Sequence, residues 1–181
     1  EEDQDSFNAH YNNKLKASRK EPKSLRFKSQ AYQHNWLGLI VGTMDAQAIK
    51  DLSNKYNCSI TELIGAAVFY AAYKARHLFD QKDYPFTMFI PVNLRRFFPS
   101  RTLRNFSLYV RTKVKLNEEI SFEDLVTMIK SDMQDELQKE KLAERFATNV
   151  RSERNFALRI VPRQIKEVVL RATILNAKFL S

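Results

Sequence analysis

Two runs of alternating side chains, separated by a short basic loop, constrain the fold of this chain more than any other feature. From Phe106 to Leu116 every second residue is apolar or threonine, and the residues between them are mostly polar. A period of two over that length predicts an extended strand with one buried face. A shorter alternation from Phe86 to Val92 predicts a preceding strand. The loop between them is too short for a parallel crossover, so the strands either pair antiparallel or diverge.

The loop between these predicted strands is rich in arginine. It contains Arg95, Arg96, Arg101 and Arg104, with two phenylalanines and a proline among them. Four guanidinium groups cannot all be buried without a large desolvation cost. The loop therefore faces either solvent or a ligand that carries negative charge.

One further strand and two helices are predicted before these two strands. Leu37–Thr43 alternates with glycine and predicts a first strand, after which Asp45 is placed to cap a helix. Ser59 and Glu62 form a capping-box pattern that opens a second helix. Because this second helix is apolar on more than one face, we expect it to lie inside the core.

Further helices follow the strands. Ser121 and Asp124 predict the start of a long amphipathic helix that runs to about Phe146. Another helical segment is predicted to open at Ser152 and to break or kink at Pro162. The order strand, helix, helix, strand, strand, helix, helix predicts a mixed α/β sandwich.

Composition limits the class of protein. The chain has 181 residues, 44% of them hydrophobic, which suits one domain or one half of a two-lobed enzyme and excludes a disordered chain. A formal net charge of +9 favours anionic partners. The single cysteine, Cys58, cannot form an internal disulfide, and we expect it to serve in packing. We expect no metal site and no transmembrane segment, and a cytoplasmic location.

The loop and its flanking strands resemble a known superfamily. IPVNLRRFFPS followed by TLRNFSLYV is similar to the central part of the CoA-dependent acyltransferases related to chloramphenicol acetyltransferase. These include alcohol acyltransferases and the condensation domains of peptide synthetases. Val92–Arg95 matches a V-x-x-R element, and Arg104–Phe106 matches an x-N-F element. The resemblance is nearest to bacterial alcohol acetyltransferases and extends more loosely from Trp36 to Leu175.

This resemblance implies a fold and a domain organisation. It implies an α/β, chloramphenicol acetyltransferase-like mixed-sheet sandwich with helices, of which this chain forms the second lobe only. Residues 36–181 would be an incomplete C-terminal lobe. Residues 1–35 would be a polar connector between lobes, although a frayed, solvated tail explains their composition equally well.

The resemblance also implies an activity. Its members move an acyl group from CoA, or from a carrier-protein phosphopantetheine thioester, to an alcohol or amine. The base in the family is the second histidine of His-His-x-x-x-Asp-Gly, whereas this chain has three separate histidines, His10, His34 and His77. We therefore expect an O-acetyltransferase whose catalytic histidine lies in a missing N-terminal lobe. The fragment alone is expected to be inactive and to hold no bound cofactor.

Site residues follow from the same match. Arg95 corresponds to the arginine that supports the histidine motif, so Arg95→Ala would lower turnover more than donor binding. Asn105, Ser107 and Tyr109 are candidates for lining the substrate tunnel. The three remaining loop arginines are candidates for binding the phosphates of CoA, namely Arg96, Arg101 and Arg104.

Two other functions compete with the enzyme hypothesis. A chain of this fold without the histidine motif could act as a non-catalytic binding scaffold. Alternatively, basic residues interleaved with aromatic ones could bind nucleic acid. We expect no nucleic-acid partner, because Phe106 and Tyr109 fall on opposite faces of their strand and no nucleic-acid motif is present.

Overall fold

A computed structural model describes residues 2–15, 23–26, 38–79, 83–115 and 119–154, together with positions 165, 167, 168 and 171. The helices and strands of the described residues are α1 (Ser6–Ala9), α2 (Ala46–Lys55), α3 (Ile60–Lys74), β1 (Phe86–Asn93), β2 (Ser107–Val114), α4 (Phe122–Glu136) and α5 (Lys139–Arg154). Short 3-10 turns cover Arg76–Leu78 and Leu94–Arg96. The chain is thus mixed α/β, as predicted.

The two predicted strands pair with each other. β1 and β2 form a two-stranded antiparallel sheet, which decides between the two arrangements left open by the sequence. The predicted alternation of β2 is also confirmed, because its inward side chains are buried and Tyr109 is 62% exposed. Leu116, at the end of the predicted strand, lies outside the described residues. A larger sandwich like that of chloramphenicol acetyltransferase stays a prediction.

The chain divides into two compact units. Unit 1 consists of Glu1–Lys23, Val92–Leu108 and Gln138–Ser181, and unit 2 consists of Ser24–Pro91 and Tyr109–Leu137. The predicted domain boundary between residues 35 and 36 lies outside the described residues.

The core of unit 2 is formed by α3, α4 and β1. Gly65 lets α3 approach its neighbours closely, because a Cβ atom there would lie 3.1 Å from the Met88 side chain and 3.6 Å from that of Ile129. Next to this contact, Phe69 and Phe86 pack edge to face with their ring centroids 5.4 Å apart. Burial of these apolar side chains is the main stabilising contribution in this unit.

The prediction that α3 lies inside the core is confirmed for one of its faces only. One face of the helix is buried, at Leu63, Ala66 and Phe69, but Ile64 and Val68 on another face are 45% and 42% exposed. Within the described residues α2, α4 and β1 contact α3, and they leave these two side chains partly exposed. The apolar composition of α3 shows that two of its faces could be buried, but it does not show that both of them are.

The predicted strand Leu37–Thr43 is also wrong over its described part. Residues 38–44 form neither helix nor strand, and Leu39, Ile40 and Val41 are 85%, 98% and 78% exposed. A strand needs hydrogen bonds from a neighbouring strand, and none of the described residues pairs with this segment. Leu37 itself is outside the described residues.

The single long helix expected from Ser121 to Phe146 is in fact two helices. α4 ends at Glu136 and α5 begins at Lys139. The buried residues of α4 include Ile129 and Met133, and the next buried apolar residue is Leu142, nine positions after Met133. Nine residues of an uninterrupted α-helix correspond to about two and a half turns. Met133 and Leu142 would then lie on opposite faces of one helix. A break between the helices allows both side chains to be buried.

The helix expected to open at Ser152 was placed wrongly, because Ser152 lies inside α5. The predicted break at Pro162 falls outside the described residues.

The predicted helix caps are confirmed. Asp45 accepts a hydrogen bond from the Ala48 amide at 2.7 Å. Ser59 and Glu62 form a complete capping box at the start of α3, and Ser121 and Asp124 form another at the start of α4. Each cap satisfies amide groups that the first helical turn leaves without partners.

The close approach at Gly65 predicts that a large side chain there is not tolerated. We expect Gly65→Leu to lower the free energy of unfolding by about 2 kcal/mol, since overpacking displaces neighbouring side chains. Ala67→Leu, at an exposed position of the same helix, is the matched control and should change stability by no more than about 0.5 kcal/mol. Urea denaturation measures both, and equal losses would contradict this packing.

The α4 cap predicts a loss of stability in acid. Hydrogen bonds from the side chain and backbone of Ser121 hold the pKa of Asp124 below its ordinary value of 3.8. A group whose pKa is lower in the folded state contributes stability above its unfolded pKa, and that stability is lost as the pH falls through the folded value. Asp124→Asn should therefore reduce the stability lost between about pH 6 and pH 3, measured by urea unfolding. Glu123→Gln controls for removing a charge, and an equal effect in it would refute the cap's role.

Candidate functional site

The candidate site is the segment between the strands, residues 94–106, here called the arginine loop. Its two ends are anchored, because Leu94 and Phe106 are fully buried and the Leu94 amide donates to the Phe106 carbonyl at 3.0 Å. This bond closes the base of the loop, directly after the last residue of β1 and directly before the first residue of β2. The loop lies entirely within unit 1.

The Arg95 side chain holds the two sides of the arginine loop together. Its Nη2 atom donates to the carbonyl oxygens of Thr102 and Arg104, at 2.7 Å each. Its Nη1 atom donates to Oδ1 of Asn93 at 3.3 Å. One planar guanidinium thus fixes three acceptors from different parts of the loop and its base, which a lysine ammonium could not do with the same geometry.

An aromatic cluster lies beneath the loop. Phe98 packs edge to face on Phe146 of α5, with ring centroids 5.2 Å apart. Phe7 of α1 contacts both Phe106 and Phe146, at 4.9 and 6.0 Å between ring centroids. The loop therefore rests on side chains of α1 and α5, which are far apart in sequence.

The N-terminal segment, residues 2–10, is bound to the outer part of the loop. The Glu2 carbonyl accepts from the Leu103 amide at 2.9 Å and from Oγ1 of Thr102 at 3.1 Å. The Ser6 and Ser100 hydroxyls share a hydrogen bond, and Nε2 of His10 bonds to the Pro99 carbonyl at 3.0 Å.

This role of the N-terminal segment was not predicted from the sequence. Phe7, Tyr11 and Leu15 fall at helical spacing and indicate a short helix, but nothing in the sequence indicated the loop as its partner.

The exposed side chains of the loop are strongly basic. Arg96, Arg101 and Arg104 are exposed, and the 13 residues of the loop include no aspartate or glutamate. Nζ of Lys139 lies 5.4 Å from the centroid of the Phe98 ring and adds a further positive charge nearby.

Asp5 brings one negative charge to this region. Hydrogen bonds from the Asn8 backbone and side chain hold the pKa of Asp5 below its ordinary value, with a smaller electrostatic contribution from Arg104. The carboxylate is therefore ionised at neutral pH and offsets part of the positive charge of the loop.

The structure brings together two of the three predicted tunnel residues. Asn105 is exposed, and its Oδ1 atom accepts a hydrogen bond from Oγ of Ser107 at 2.7 Å. Tyr109 lies further along β2, in unit 2. Whether these side chains line a substrate tunnel stays a prediction.

The described histidines are not arranged as a catalytic motif. The ring of His10 stacks on Phe106, with centroids 6.1 Å apart, and His77 is exposed in the 3-10 turn after α3. His34 lies outside the described residues. Across the described ranges, no group of three or more histidine, cysteine, aspartate or glutamate side chains is arranged to hold a metal ion. In the same ranges no helix combines the length and apolar character that crossing a bilayer requires.

Unit 2 contains two cavities that sequence analysis did not anticipate. One, of about 680 Å³, is lined by Pro85, Ile120, Met128 and several charged side chains. The other, of about 270 Å³, includes Cys58. Burial, with a further contribution from Glu62, raises the pKa of the Cys58 thiol, so it is a poor nucleophile at neutral pH.

Comparison with known proteins identifies the family. The family model for alcohol acetyltransferase matches residues 7–173, which include the arginine loop and α5. No curated protein sequence and no solved structure matches the chain. Since the family match extends over far more than half of the 181 residues, the protein belongs to the alcohol acetyltransferase family.

Proposed function

We propose that this protein takes part in transferring an acyl group from acyl-CoA to an alcohol, and that its arginine loop binds the phosphates of the donor. The family supports an acyltransferase. The observation that carries the assignment to the donor is the loop itself, in which Arg96, Arg101 and Arg104 are exposed on a hydrogen-bonded frame.

The number of phosphates favours CoA over a carrier-protein donor. CoA carries a diphosphate and a separate ribose phosphate, whereas a phosphopantetheine arm carries one phosphodiester. Several arginines on a single loop match several phosphates better than one, because guanidinium groups bind phosphate oxygens in pairs. An amine acceptor would use the same donor site, so the preference for CoA is the same for alcohol and amine acceptors.

The base for this reaction is proposed to lie in a part of the enzyme outside the 181 residues. An alcohol needs a general base to remove its proton, and a histidine near neutral pKa suits that task. His10 is already bonded to the Pro99 carbonyl, and none of the three histidines, His10, His34 and His77, is adjacent to another as the histidine pair of the motif requires.

A surface of unit 2 supports this proposal. Leu39, Ile40 and Val41 are between 78% and 98% exposed in a segment that makes no strand pairing within the described chain. Apolar side chains and backbone groups of this kind are suited to pairing with a strand of another part of the protein.

The donor-binding role predicts a selective loss of affinity. In the complete enzyme, Arg96→Gln and Arg101→Gln should each raise KM for acetyl-CoA about tenfold, through loss of a charge-assisted contact. KM for acetyl-pantetheine, a thioester without phosphates, should be unchanged. Steady-state kinetics with both donors measures the difference.

Arg76→Gln is the matched control, since Arg76 is an exposed arginine of unit 2 and should affect neither donor. Equal effects of the loop variants on both donors, or no effect on acetyl-CoA, would contradict phosphate binding by the loop.

Arg95 is expected to have a broader effect than its neighbours. Its bonds to Thr102 and Arg104 hold the loop in shape. Removing Arg95 should therefore weaken donor binding, in addition to the loss of turnover that the family resemblance implies. Arg95→Ala should therefore lower kcat and raise KM for acetyl-CoA together. Arg95→Lys should restore neither, because an ammonium cannot reproduce the planar set of donors. A fall in kcat alone would instead point to direct support of the histidine motif.

A further inference from the structure

We propose that Thr102 is a positioning residue, through which the N-terminal segment sets the shape of the arginine loop. The predicted effect of Thr102 on donor binding rests on the proposed function, whereas its predicted effect on the order of the loop does not. It assigns residues 2–10 a part in the site, where the sequence had indicated only a connector or a tail.

Thr102 is the point at which two sets of contacts meet. It is 3% exposed, and all its polar groups are bonded. Its amide donates to Oγ of Ser100 at 3.1 Å, and its carbonyl accepts from Arg95 at 2.7 Å. Its hydroxyl donates to the Glu2 carbonyl at 3.1 Å and accepts from the Arg104 amide at 3.2 Å.

These contacts join parts of the chain that are far apart in sequence. The bond from Thr102 to Glu2 spans 100 residues, and the bond between Ser100 and Ser6 spans 94. Arg95 holds the loop from inside, and the N-terminal segment holds it from outside. Thr102 is the residue that bonds to both.

The position of Thr102 explains why this matters for a ligand. Arg101 precedes it directly, and Arg104 follows two residues later with its amide bonded to the threonine hydroxyl. Fixing Thr102 therefore fixes the backbone from which both arginines extend. A long, flexible cation binds phosphate more tightly when its backbone is already ordered, because less conformational entropy is lost on binding.

The test removes one hydroxyl and keeps the shape of the side chain. In the complete enzyme, Thr102→Val should speed amide hydrogen exchange at Leu103 and Arg104 about tenfold, through loss of about one net hydrogen bond. KM for acetyl-CoA should rise about fivefold while KM for acetyl-pantetheine stays unchanged. Thr102→Ser keeps the hydroxyl and should restore both readouts.

Thr112→Val is a matched control for this substitution. Thr112 is a fully buried threonine of β2 whose hydroxyl makes no hydrogen bond within the described part of the chain. Its replacement removes the same group without removing a bond, so exchange in the loop and both KM values should stay as in the wild type. Should Thr102→Val fail to fold, Ser100→Ala tests the same network, because it removes the acceptor of the Thr102 amide.

The two readouts separate the two proposals. Unchanged exchange at Leu103 and Arg104 in Thr102→Val, or at Thr102 in Ser100→Ala, would overturn the positioning role. Faster exchange with equal changes in KM for both donors would support the positioning role and overturn phosphate binding by the loop. Faster exchange with a change for acetyl-CoA alone would support both.

Discussion

The bonds from Arg95 to the carbonyls of Thr102 and Arg104 are the interaction on which the site depends. The Thr102 and Arg104 carbonyls lie outside the two strands and accept no bond of the sheet, and carbonyls left without partners next to a buried aromatic cluster would cost free energy. The planar, charged guanidinium of Arg95 satisfies both of these carbonyls at once. Beyond the 3-10 turn Leu94–Arg96, the loop therefore has a defined shape without regular secondary structure.

The aromatic cluster beneath the loop explains why this shape needs distant parts of the chain. Phe98 and Phe106 come from the loop, but Phe7 and Phe146 come from α1 and α5. Edge-to-face packing of this kind fixes the rings in one arrangement and excludes water. The backbone above the cluster is then held from below by packing and from its sides by hydrogen bonds.

Local features were predictable from the sequence, and contacts between distant segments were not. Asp45, Ser59 and Ser121 were identified as caps because the signal lies within four residues, and β2 because its alternation continues over a whole strand. The helix break after Glu136 was missed because the apolar stripe was followed past the point where its phase changes. The exposed segment 38–44 was wrongly predicted to be a strand. A strand needs a second segment to hydrogen-bond with, and the alternation of side chains gives information on one segment only. For the same reason, the loop arginines were located but the carbonyls that hold Arg95 and the role of Glu2 were not.

The positive charges of the loop arginines also affect the shape of the loop. Exposed arginines on one short loop repel each other, so the loop would tend to open if only side-chain charge acted on it. Asp5 offsets part of this repulsion near Arg104, and its charge is stabilised by Asn8 in the same N-terminal segment. The segment that bonds to the backbone of the loop therefore also lowers the electrostatic cost of gathering its cations. An anion bound to the arginines would reduce the same repulsion further, which makes ordering of the loop and anion binding two parts of one equilibrium.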